Sequence, residues 1–292
     1  MRYDVRMTIS YTYYGSASSG RHLLRMAPVT VPGEQTVLNS RLTVDPAPEE
    51  WTERTDFFLN PVVEVAYRRA VRNTRFRLEA RVERHVLPPA LDMSPAPGDL
   101  GQEIAAWRAL DAQAPHHFLA PTTRVPVLAE MTAYGRQATA GARSTWDAVR
   151  LLGEAIYRDW KYDPDATTVD TPAQEAFRAR HGVCQDFTHI MTACLRGMGI
   201  PAGYVSGFLR TTPPPGRPRL EGADAMHAWV RAWCGFEMGW VEYDPTNAMA
   251  VGLDHVVIAR GRDYSDVAPI TGVMWTAGGQ STKQGVDMIP LE

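Results

Sequence analysis

Three residues of this chain, Cys184, His227 and Asp244, have the types and the order that nucleophilic acyl chemistry uses. A thiolate attacks an acyl carbon, an imidazole takes and returns the proton, and a carboxylate fixes the imidazole tautomer. His227 follows Cys184 by 43 residues and Asp244 follows His227 by 17. His227 and Asp244 fall at the start of one strand pattern, MHAWVRAW, and the end of the next, GWVEYDPT, and antiparallel neighbours can hold such a pair side by side. Each residue also has a plainer reading. A cysteine at a helix start is ordinarily a small packed hydrophobe, a strand histidine is often a satisfied core residue, and Asp before Pro often starts a turn.

The elements that must position them begin with TPAQEAFRARHGVCQDFTHIMTACLRGMGIP, residues 171–201. Thr171, Pro172 and Gln174 predict a capping box with proline at the first helical position. That helix is expected to run through Phe177 and end at Gly182. A second helix begins at Cys184, where Phe187, Ile190, Met191, Cys194, Leu195 and Met198 recur at three- and four-residue steps and make one face core. Cys184 then lies in the first turn, where unpaired amides and the positive dipole end favour a thiolate. His189, about 140° around the helix from Cys184, is not its base. Asp186 reads as a capping or loop-orienting carboxylate.

Other chemistries fit less well. Three cysteines, all in the second half of the chain, do not describe a disulfide framework. Cys184 and Cys194 face about 80° apart on one helix and make no zinc site; Cys194 reads as core and Cys234 as a structural thiol. His116 and His117 are adjacent and cannot share a helix face to grip a metal. No calcium or phosphate-binding loop is present, so neither metal nor cofactor is expected. A net charge of -3 with no basic cluster gives no case for nucleic acid. The amino terminus alternates polar and apolar residues and lacks an apolar core, so a cytoplasmic protein without a membrane partner is expected.

Residues 1–86 alternate with period two between Gly, Pro, Asn and Asp, which predicts a sandwich-like β-rich domain. The proline-rich run from Val86 to Asp99 predicts a stiff connector, with a short helix after it, up to residue 125. Residues 126–292 then read as the catalytic core: helices from Pro126 and from the Ser144 cap, the helix pair around Cys184, then strands to the end. This is an α+β order.

TPAQEAFRARHGVCQDFTHIMTACLRGMGIPAGYVSG, DAMHAWVRAW and GWVEYDPTN closely resemble the bacterial transglutaminase-like proteins often labelled as cysteine proteases. The β-rich start and DHVVIARGRDYSDVAPITG extend the resemblance over nearly the whole chain. It implies a papain-like, transglutaminase core behind an N-terminal β domain, with Cys184 as nucleophile, His227 as general base and acid, and Asp244 orienting the imidazole. Met226 stands where serine or threonine is usual. The implied activity is thiol-dependent acyl transfer or hydrolysis at a peptide, isopeptide or glutaminyl amide of a peptide or protein substrate. Protein-glutamine cross-linking and a non-catalytic scaffold are the alternatives. The Cys184 amide is one oxyanion donor by its place at the helix end; Gln185, Tyr162 and Trp160 are candidates for a second, although packing is the plainer role for Trp160. Asn247 and His255 are further candidates to line the cleft, and the loops Lys161–Asp170 and Thr211–Ala225 are expected to shape it.

Overall fold

A computed structural model describes residues 1–85, 91–211, 224–276 and 278–291. The proline-rich run at 86–90 and most of the Thr211–Ala225 loop lie outside the described residues.

The amino-terminal alternation produces one long strand, β1 (Arg2–Leu24), followed by β2 (Gln35–Asp45), β3 (Glu50–Thr55), β4 (Pro61–Tyr67) and β5 (Val71–Arg84). Tyr3, Val5, Met7 and Ile9 point inward from β1 and meet Phe76, Leu78, Ala80 and Val82 of β5, whose alternate residues are exposed, as a one-sided sheet requires. The sheet runs β2-β5-β1-β4-β3. Its register shifts between Thr12 and Ala17 of β1, and the two halves pack on each other, with His22 of the second half against Phe76 of the first. That fold-over gives one sheet the packing of a sandwich.

The helices follow: α1 (Leu100–Ala106), α2 (Ala129–Ala138), α3 (Thr145–Asp159), α4 (Ala173–Ala179) and α5 (Cys184–Gly197), with β6 (Lys161–Tyr162) and β7 (His181–Gly182) forming a short parallel pair around α4. Ser144 caps α3 by accepting from the Asp147 amide at 3.0 Å, as its Ser-x-x-Asp motif predicts. The expected capping box at Thr171 does not form. Thr171 Oγ1 accepts from the Thr168 amide in the preceding turn, Gln174 reaches Glu130, and α4 starts at Ala173 without a side-chain cap. Nor does Gly182 end that helix: Arg180 does, at φ 59°, with its guanidinium 3.8 Å from the Trp160 ring centroid.

Beyond α5 come β8 (Ala202–Leu209), β9 (Ala225–Trp233), β10 (Trp240–Asp244), β11 (Met249–Ala250) and β12 (His255–Gly261), an antiparallel sheet in the order β11-β10-β9-β8-β12. Helix α5 packs on this sheet: Ile190, Met191, Cys194 and Leu195 share a cluster with Val230, Ala232 and Trp233. Its far end is pinned by Arg196, which donates to the carbonyls of Ala202, Ala120 and Arg262. After the one-turn α6 (Tyr264–Val267) come the last strands β13 (Ile270–Thr276) and β14 (Gln280–Leu291), which the sequence places with the catalytic core of residues 126–292. They pair with β1, β14 over Arg2–Tyr13 and β13 over Ala17–Leu24. The chain returns to its beginning because β1 would otherwise leave a long open edge. The helices and the second sheet thus lie, in sequence, between the two parts of the first sheet.

Candidate active site

Helix α5 brings Cys184 to the surface of the core, half-buried. Its first turn is held by side chains of that turn. Asp186 Oδ2 accepts from the Val183 amide at 2.8 Å and from Thr167 Oγ1 at 2.6 Å, and Thr188 Oγ1 donates to the Cys184 carbonyl at 2.7 Å. Gln185 Nε2 donates to the Val169 carbonyl at 3.0 Å. The loop before α4 is therefore strapped to the helix start by Asp186 and Gln185. Gly182 permits this closeness, because a Cβ there would meet the Asp186 carboxylate at 2.5 Å. Burial raises the Asp186 carboxyl above its usual range, against the lowering effect of its two hydrogen bonds.

His227 lies on β9 beyond the last pair that β9 makes with β10, and Asp244 ends β10. His227 Nε2 is 2.7 Å from Asp244 Oδ2, and both side chains are buried, Asp244 completely. Cys184 lies near enough to His227 for its thiol to favour the imidazolium. With Nε2 engaged by Asp244, Nδ1 is the ring nitrogen left for a second partner. Burial disfavours the imidazolium, but hydrogen bonds to Asp244 and Cys184 and the charge of both outweigh it and push His227 up to about 10. Burial also opposes the Asp244 carboxylate, yet donation from His227, His255 and Asn247 holds it well below the usual carboxylate range.

Asp244 has more partners than the sequence reading gave it. Asn247 Nδ2 donates to Oδ2 at 2.7 Å, and His255 Nε2 lies 3.2 Å from the same oxygen. The amides of Thr246 and Asn247 donate to Oδ1 at 2.9 and 3.2 Å. His255 Nδ1 accepts from the Gly252 amide at 3.4 Å, so its proton sits on Nε2 and is directed at Asp244. Asn247 and His255 therefore support Asp244. Asn247 was within reach of sequence reasoning, since an Asp-x-x-Asn turn folds back on its own carboxylate; His255, at the start of β12 on the far side of the sheet, carries no local signal.

The ligand atoms of His227, Asp244 and His255 lie within 4.8 Å of one another. Both Nε2 atoms converge on a single carboxylate oxygen, so hydrogen bonds account for the cluster, and a metal would have to displace both protons. Nearby on the same sheet, Trp229 Nε1 donates to Glu242 Oε2 at 2.7 Å, and Arg260 Nη2 pairs with Glu242 at 2.5 Å. This fixes β9, β10 and β12 to one another.

The candidate oxyanion residues separate. Tyr162 is half exposed, and burial together with the nearness of Cys184 pushes its phenol above its ordinary value. Trp160 is buried, with Nε1 on the Ala176 carbonyl at 3.3 Å, and the Gln185 amide is spent on Val169. Cys194 and Cys234 are fully buried; burial pushes the Cys194 thiol up to about 12 and raises Cys234 as well. His189, pushed down to about 3 by burial, accepts from the Tyr264 amide at 3.3 Å. Among the described residues, no helix is long and apolar enough to cross a membrane.

A cysteine at a helix start, packed on an antiparallel sheet that carries a histidine and an aspartate, defines a core of the papain-like, transglutaminase type. The chain belongs to the transglutaminase-like superfamily: residues 132–245 match its core and residues 3–83 match the bacterial transglutaminase-like N-terminal region. It is 32% identical over 300 residues to an uncharacterized protein of Mycobacterium tuberculosis, covering all of this chain and 93% of that one. An uncharacterized protein of Mycobacterium leprae is 37% identical over 158 residues, 53% of this chain and 54% of that one. A solved structure of a candidate cysteine protease from Cytophaga hutchinsonii shares the fold, with a TM-score of 0.76 and 22% identity over all of this chain and 91% of that one.

Proposed function

We propose that the protein is a thiol-dependent amide hydrolase acting on peptide or isopeptide bonds, with Cys184, His227 and Asp244 as its triad. The observation that carries this reading is His227 Nε2 2.7 Å from the buried Asp244 carboxylate, with Cys184 at the start of α5 near enough to the same imidazole to favour its charged form. His227 Nδ1 takes the thiol proton. The thiolate attacks the substrate carbonyl, and the oxyanion faces the first-turn amides of α5, Cys184 among them. His227 returns the proton to the leaving amine, the C–N bond breaks and a thioester remains. Water, deprotonated by His227, then displaces Cys184 and releases the acid. Asp244 keeps the Nε2 proton in place throughout. The Cytophaga hutchinsonii protein's description as a candidate cysteine protease accords with water as the acceptor.

The test is incubation with a casein-like protein and a labelled primary amine, with Cys184→Ala as control. New termini that depend on Cys184 support hydrolysis. Cys184-dependent incorporation of the amine, without new termini, would replace it by transglutamination. Neither product would return the fold to a scaffold role.

A further inference from the structure

We propose that the cleft between the N-terminal sheet and the catalytic core is the pocket for an uncharged apolar side chain of the substrate, and that the N-terminal domain supplies one of its walls. This rests on the reading of Cys184 as the nucleophile. The cleft has a volume of about 450 Å³, within the range of roughly 300–1,000 Å³ that small-ligand sites occupy.

Three of its walls are tied to the triad. Met226 immediately precedes His227, and its side chain lines the cleft. Val169 lines it too, on the loop that Gln185, next to Cys184, holds through the Val169 carbonyl. Tyr264 is fixed by its amide to His189 of α5. The opposite wall comes from the β domain: Ile9 of β1 lies directly across from Gln284 of β14, and Tyr11 across from Thr282. Cys184 packs against the same apolar cluster as Tyr11, Met226, Tyr264 and Ile270, so the thiol and the cleft walls rest on one cluster. A second cavity of about 340 Å³ shares Tyr11 and Ile270 and continues the cleft along β1.

The lining decides the class of occupant. Among the described residues no acidic or basic side chain lines the 450 Å³ cleft; Arg124, which stacks on Tyr264, is engaged with Asp170 and Ser265. A charged substrate side chain entering there would lose water and find no counter-charge, whereas an aliphatic or aromatic one would gain burial. Met226 makes this wall apolar where serine or threonine would make it polar. The expectation that the 161–170 and 211–225 loops chiefly shape the cleft is thereby widened to include β1 and β14.

The test uses dipeptidyl chloromethyl ketones, acetyl-X-Gly and acetyl-Gly-X with X as Phe, Leu, Asp or Lys. Cys184 Sγ displaces their chloride, so the readout is the alkylation rate and needs no turnover. Normalised to iodoacetamide, the Phe and Leu probes should react about 10- to 100-fold faster than Asp and Lys at one of the two positions. Gln284→Glu, an exposed change in the β domain, should speed the Lys probe about 3- to 5-fold and slow the Asp probe, each read relative to that variant's own iodoacetamide rate. Met226→Ala should slow the Phe probe. Equal rates for all probes, or a preference indifferent to both substitutions while iodoacetamide still reacts normally, would overturn the pocket. A selective pocket in a protein that cleaves no amide would instead count against hydrolysis alone.

Discussion

Asp244→Asn exchanges one oxygen for an amide group and removes a charge from a side chain with no solvent exposure. Every contact of Asp244 is a donor: His227, His255 and Asn247 on Oδ2, and the amides of Thr246 and Asn247 on Oδ1. An asparagine must therefore aim its NH2 at donors whichever way it is turned. Two unmatched buried donors at about 1–3 kcal/mol each give a loss of about 2–6 kcal/mol, a large share of the roughly 5–15 kcal/mol that keeps a domain folded. Without the carboxylate His227 loses the charge that raises it, and a neutral ring that carries its proton on Nδ1 presents a hydrogen to Cys184 where a base is needed, so amide turnover should fall about 10²- to 10⁴-fold. The pH dependence has a definite sign. His227, raised to about 10 in the folded protein, contributes stability that is complete below its unfolded value of about 6.5 and is lost as pH rises through the folded one. Asp244, held low, contributes stability that is complete above its unfolded value of about 3.9 and is lost as pH falls through the folded one. The gap between wild type and Asp244→Asn, measured by urea unfolding, should be widest at about pH 5–6.5 and narrow on both sides. A gap that does not change with pH, or a variant that turns over normally, would refute the reasoning.

His255→Leu removes one charge-assisted donor from Asp244 and should lower kcat about 10- to 100-fold with KM little changed; His255→Gln, which can return an N–H to that oxygen, should recover most of the loss. Steady-state kinetics on the two variants check this, and equal impairment would reduce His255 to packing. Deleting residues 270–292 opens the edge of β1 along Arg2–Tyr13 and should leave a protein that aggregates or unfolds on mild heating; light scattering during a thermal ramp reads it, and a soluble, cooperatively folded product would contradict the shared sheet.

The helix carrying Cys184 was legible because its signals are local: apolar residues at helical spacing, and a glycine stop at Gly199, whose φ of 83° suits that residue. The α+β order and the strand pattern around His227 and Asp244 were legible for the same reason. Partners distant in sequence were not. Nothing in the residues of β14 shows that β1, more than 250 residues earlier, supplies the neighbouring edge. The Thr171 cap failed because the same hydroxyl had a competing partner at Thr168, and local side-chain bonds of this kind compete with capping. His255 was invisible as a support for Asp244 because β12 reaches the site by pairing with β8 on the far side of the sheet.

In the proposed mechanism His227 makes the Cys184 thiol reactive, while the other two cysteines are sealed in the core. Brief exposure to iodoacetamide at pH 7, followed by mass spectrometry of the three cysteine-containing peptides, measures this directly. The prediction is that Cys184 is alkylated about 100-fold or more faster than Cys194 and Cys234, and that His227→Ala removes most of that excess. Equal labelling of the three thiols, or a Cys184 rate indifferent to the loss of His227, would contradict it.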